Sequence, residues 1–78
     1  MLHHTHITMT MKFDELFDLD GYTLIAKETI RIGGELIRIG QRMGHESVIG
    51  NVALFYHRFH AFDVEVVGGE YRVRRVVG

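Results

Sequence analysis

Thr29-Ile30-Arg31-Ile32-Gly33-Gly34-Glu35-Leu36-Ile37-Arg38-Ile39 decides the fold, because its pattern returns in Asp63-Val64-Glu65-Val66-Val67-Gly68-Gly69-Glu70-Tyr71-Arg72-Val73. Each is a β-branched run broken by Gly-Gly-Glu and resumed by a second such run carrying arginine. A two-residue hairpin turn needs positive φ at one or both central positions, and glycine adopts it at no steric cost. Hairpins with tips at Gly33-Gly34 and Gly68-Gly69 are therefore predicted. The echo reads either as an internal duplication or as a convenient hairpin tip used twice.

Outward from these tips, residues 6–13 alternate. Ile7, Met9, Met11 and Phe13 fall on one side and His6, Thr8, Thr10 and Lys12 on the other, the period of a half-buried strand. Asp14 to Gly21 is an acidic connector with room for one helical turn, and Asp20-Gly21 marks a reverse turn. Strands are predicted over 22–32 and 35–43. A helix there would carry Gly33, Gly34 and Gly40 at a cost of about 1 kcal/mol each. Residues 48–62 read two ways. Val48, Val52, Phe55, Phe59 and Phe62 give a helix an apolar face, with Ser47 as N-cap. Gly50 and Asn51 weaken a helix start, and the aromatic and β-branched content favours strand. The fold expected is mainly β: a small antiparallel meander of five or six strands with two Gly-Gly hairpins, curled or packed face to face in a dimer. A helix over 48–62 would make it α+β instead.

Composition sets the outer limits. Seventy-eight residues make one domain, 1–78, with residues 1–5 as a frayed end and Met9 or Met11 as alternative starts. A core this small gives only a few kcal/mol, and cysteine is absent, so reinforcement must come from self-association or from a histidine–carboxylate metal site. A net charge of −1 argues against nucleic acid as partner. No apolar run approaches the roughly 18 residues that span a bilayer, and no signal peptide opens the chain, so a cytoplasmic protein is expected.

Histidine stands out, at positions 3, 4, 6, 45, 57 and 60. Imidazole serves both as a neutral-pH acid or base and as a ligand for zinc, copper or nickel. His4 and His6 would share a strand face. His57 and His60 would meet only if their segment is helical. These four are the candidate metal ligands, although no spacing matches a zinc signature and no cofactor is expected. Met1-Leu2-His3 is also a terminus able to chelate a cupric ion. For catalysis, His57 or His60 would be the base, with Tyr56 as donor and Asp63 or Glu46 as orienting carboxylate. The lone serine, Ser47, lies too near His45 and Glu46 in sequence to form a nucleophile–base pair, and neither Gly-Gly is followed by the residues of a phosphate loop.

Three family resemblances attach to these residues. Tyr56 to Val76, ending Gly69-Glu70-Tyr71-Arg72-Val73-Arg74-Arg75, resembles the last hairpin of nuclear transport factor 2-like proteins. That implies a cone-shaped fold around a small apolar molecule, although the family's N-terminal helices have no counterpart here. Thr8 to Phe59 is similar in strand order to hot-dog thioesterases, without their central helix. Ile39-Gly40-Gln41-Arg42 and His57-Arg58-Phe59-His60-Ala61 resemble forkhead-associated phosphopeptide modules, with His57 where the phosphate-contacting serine would stand. The three imply incompatible folds, so no family is assigned. The expected function is a non-catalytic binding module. Its apolar face of Phe55, Phe59, Phe62, Val64 and Val66 would serve homodimerisation and a small apolar ligand or protein partner. A small enzyme with a histidine base and a histidine-based metal protein are the alternatives.

Overall fold

The computed structural model describes residues 7–78. The expectations for residues 1–6, including the ligand roles of His4 and His6, lie outside the described residues. Both Gly-Gly hairpins form. Strands β4 (Ile30–Ile32) and β5 (Glu35–Ile37) close with Ile32 facing Glu35, and β9 (Ala61–Val67) and β10 (Glu70–Val77) close with Val67 facing Glu70. All four tip glycines have φ between 56° and 87°, so both central residues of each turn are left-handed, as a type I′ turn requires.

The two hairpins join into one five-stranded sheet in the order β1 (Ile7–Lys12), β9, β10, β4, β5. Here the structure departs from an antiparallel meander. β10 runs parallel to β4, pairing Tyr71 with Ile30, Arg72 with Arg31 and Val73 with Ile32. Period-two alternation then gives the sheet an apolar side, where Met9, Val64, Val73 and Ile32 form one row, and a polar side carrying Thr10, Asp63 and Arg75.

A second layer covers the apolar side. After β1 the chain makes one helical turn, α1 (Phe13–Leu16), in which the Glu15 carboxylate accepts the Lys12 N–H at 2.8 Å. It then forms a three-stranded sheet of β2 (Phe17–Asp20), β3 (Thr23–Ala26) and β6 (Arg42–Gly44). Phe13, Leu16, Phe17 and Leu24 of this layer share one core cluster with Ile30, Ile32, Phe62 and Val64 of the large sheet. Phe13 stacks on Phe17 at 5.1 Å between ring centres and reaches Phe62 at 6.4 Å.

The structure corrects three further expectations. The described residues form ten strands, most of them short, where five or six longer ones were expected. The runs 22–32 and 35–43 are both broken, because one part of each (Thr23–Ala26, Arg42–Gly44) belongs to the small sheet and the other (Ile30–Ile32, Glu35–Ile37) to the large one. Between the two parts of 22–32, Lys27 N–H donates to the Leu16 carbonyl at 2.8 Å. Residues 48–62 are neither one strand nor one helix. A two-residue-turn hairpin of β7 (Val48–Ile49) and β8 (Val52–Ala53) leads into a 3-10 turn at Leu54–His57, and β9 starts at Ala61. Gly50 and Asn51 have φ of 54° and 67°, which no right-handed helix allows. Their turn packs directly on the first Gly-Gly tip: a Cβ added to Gly50 would lie 2.5 Å from the Ile32 carbonyl oxygen.

Candidate functional site

Leu54 is fully buried and anchors a segment whose next residues turn outward. Two overlapping turns hold it, with Arg58 N–H donating to the Phe55 carbonyl at 3.2 Å and His60 N–H to the His57 carbonyl at 2.9 Å. Phe13 N–H donates to the His60 carbonyl at 3.3 Å and ties the segment to α1. The result is a display of aromatic rings. Tyr56 is 73% exposed and Phe59 84%. The Arg58 guanidinium lies 4.4 Å from the Phe55 ring centre and 4.7 Å from that of Phe59, a cation–π arrangement. Phe55 in turn meets Tyr22 and His45 edge-on at 5.9 and 5.8 Å.

His57 and His60 do meet, and without a helix over 48–62. The turn that follows the 3-10 segment, closed by the His60 N–H to His57 carbonyl bond, brings the two Nδ1 atoms to 2.8 Å. One imidazole donates and the other accepts. The Tyr56 ring stands edge-on to His57 at 5.1 Å and an interplanar angle of 86°. The orienting carboxylates expected beside these histidines are elsewhere. Asp63 lies on the polar side of β9, where its carboxylate accepts from Arg75 Nε at 2.7 Å and from Thr10 Oγ1 at 3.0 Å. Those two hydrogen bonds hold its carboxyl below the ordinary aspartate range. Glu46 lies 3.9 Å from His45. Among the described residues no group of three or more His, Cys, Asp or Glu side chains is placed to hold a metal ion.

The expected apolar face does not exist as one surface. Phe62 and Val64 are fully buried in the chain's own core, Phe55 and Val66 are half-buried, and Phe59 points to solvent. The apolar surface lies instead in a groove of about 620 Å³ between the α1–β2 segment and the 58–61 loop. Leu19, Phe59, Ala61 and Val77 give it apolar surface above the buried Phe13 and Phe17 rings, and Lys12, Asp14, Asp18, Arg58 and His60 also line it. None of Lys12, Asp14, Asp18 and Arg58 makes an ion pair with another described residue. Sequence reasoning missed this groove, having read 14–21 as a connector. The available signal was Phe17-Asp18-Leu19-Asp20, whose alternation marks an edge strand.

A second cleft, of about 380 Å³, lies at the Gly33-Gly34 tip beside Arg31, Arg72 and Arg74. Its arginines already carry counter-ions. Glu70 accepts from Arg31 at 2.9 Å and from Arg72 at 2.8 Å, and Arg74 pairs with Glu65 at 3.3 Å. Lys12, Asp14, Asp18 and Arg58, without ion pairs among the described residues, flank the groove and not this cleft.

No helix among the described residues is long and apolar enough to cross a membrane. In comparison with known proteins, no family model, no curated protein and no solved structure matches the chain.

Proposed function

We propose that this chain is a non-catalytic binding module that associates with a second copy of itself through the groove, each copy seating the other's Phe59 against Leu19, Ala61 and Val77. The observation that carries this reading is the presence of a knob and its socket on one surface: Phe59 is 84% exposed and stands at the lip of an apolar groove. A two-fold contact requires a self-complementary patch, and a knob adjoining its own socket supplies one. Charge points the same way. Lys12 and Arg58 stand at the groove together with Asp14 and Asp18, none of them ion-paired among the described residues, so a second copy can offer each an opposite charge. Burying two phenylalanine side chains is worth about 3–6 kcal/mol. Association itself costs about 4–15 kcal/mol, so the rings alone make a weak dimer and the rim charges set its register.

Light scattering or sedimentation across protein concentration tests the proposal. The expected result is a monomer–dimer equilibrium that Phe59→Ser shifts to monomer while the monomer still folds cooperatively, its melting temperature lower by no more than a few degrees. Asp18→Arg weakens the dimer, and mixing that variant with Arg58→Glu restores a mixed one. A monomer at all accessible concentrations refutes self-association. If an apolar dye then binds the groove and Phe59→Ser weakens it, the occupant is a small apolar ligand.

A further inference from the structure

We propose that His57 and His60 form a two-nitrogen chelating site for a divalent transition-metal ion of tetragonal preference, Cu²⁺ or Ni²⁺. This does not depend on what occupies the groove. The Nδ1 atoms stand 2.8 Å apart. Imidazole nitrogen binds such ions at about 2.0–2.1 Å, so two nitrogens lie about 2.9 Å apart at right angles and about 3.3 Å apart at the tetrahedral angle. The resting separation is therefore within about 0.1 Å of the square arrangement, the geometry Cu²⁺ and Ni²⁺ favour.

The pair is pre-positioned. The His60 N–H to His57 carbonyl bond at 2.9 Å closes the turn beneath the two side chains, and the edge of Tyr56 packs on the His57 ring. Both imidazoles are half-buried, so their rotamer freedom is reduced before any ion arrives. The ring centres are 5.0 Å apart, which places the rings end to end around one shared N–H···N hydrogen bond. The donor ring's proton passes from Nδ1 to its Nε2 through solvent, and a tilt of each ring turns the two freed Nδ1 lone pairs toward a common point where the ion replaces that proton. With no third ligand grouped there among the described residues, water completes the coordination. His60 also lines the groove, which puts the chelate at the groove margin.

The test uses the full chain carrying His3→Ala, His4→Ala and His6→Ala, because the amino-terminal histidines offer Cu²⁺ a competing site. Cu²⁺ is titrated at neutral pH with calorimetry and electron paramagnetic resonance. One ion per chain is expected, with hyperfine structure from two imidazole nitrogens. His57→Gln and His60→Gln should each weaken binding by about tenfold or more, since either substitution leaves a single donor. Unchanged affinity in either variant, or a one-nitrogen spectrum, overturns the proposal. Should either glutamine variant lose its fold, selective Cu²⁺ broadening decides, read by NMR from the ring protons of the amino-terminal triple-alanine chain. Broadening centred on His57 and His60 supports the site, and broadening centred on His45 refutes it.

Discussion

Glu70 stands between Arg31 and Arg72, two residues that the parallel pairing of β4 and β10 places directly opposite one another. Like charges facing across strands destabilise a sheet, and one carboxylate offsets both. Hydrogen bonds from Arg31, then from Arg72, hold the Glu70 carboxyl below the usual glutamate range, and Arg75 and Thr10 do the same for Asp63. A folded-state pKa below the unfolded value contributes stability above the unfolded value, and that stability is lost as pH falls through the folded one. Thermal melts should hold level down to the ordinary carboxylate range of about pH 4 and fall on further acidification. Glu70→Gln should lower the melting temperature at neutral pH and flatten this acid limb. The corresponding glutamate of the first repeat does other work: Glu35 accepts the Gly50 N–H at 2.8 Å and fastens one turn to another. Gly34→Ala should cost about 1–2 kcal/mol, the strain of a left-handed alanine. Gly50→Ala should cost clearly more, because its Cβ would also meet the Ile32 carbonyl oxygen and Gly33 Cα below 3 Å. Urea denaturation of the pair checks the order.

At the scale of elements, the 54–60 segment joins a structural anchor to a display. Leu54 has no exposed surface and sits in the core cluster, whereas Phe59 touches little besides Arg58. Leu54→Ala should destabilise by about 2–5 kcal/mol in equilibrium denaturation. Phe59→Ala should cost under about 1 kcal/mol, the loss of an exposed cation–π contact. A reversal of that order would mean that the segment packs differently. β10 shows a comparable division. Its register against β9 slips between Val73 and Arg75, a bulge that places Arg74 outside the ladder. The slip is legible beforehand: Arg72-Val73-Arg74-Arg75-Val76-Val77 breaks period two at Arg74, and only an extra residue returns Val76 to the apolar side. No such signal marks residues 48–62, where helical spacing and strand composition compete and the close approach of Gly50 to Gly33 decides.

For the whole molecule, the need for a covering layer that 78 residues pose is met within the chain, by α1 and the small sheet. A partner copy is thus not required to bury the large sheet, and self-association through the groove would be an added, weaker equilibrium. The melting temperature should therefore rise modestly with protein concentration, because a partner that binds only the folded state stabilises it by mass action. Phe59→Ser should remove the concentration dependence and lower the dilute-limit value by no more than a few degrees, the cost of the Arg58 cation–π contact. A concentration dependence that survives in the variant would place the contact on another surface.

What the sequence determined by itself was local. Glycine pairs set the hairpin tips through their positive φ, and period-two alternation chose which residues of β1, β9 and β10 face inward. Both signals act between near neighbours, so they can be read along the chain. Strand partnership is different: a strand edge offers the same N–H and C=O groups to any neighbour, and nothing in residues 30–32 names β10 as theirs. Only the tertiary structure decided the parallel pairing, the division of 22–32 between two sheets and the turn that sets His57 against His60. The groove is likewise tertiary, because its walls come from residues 12–19 and 58–61, far apart in the chain and joined only when β1 pairs with β9.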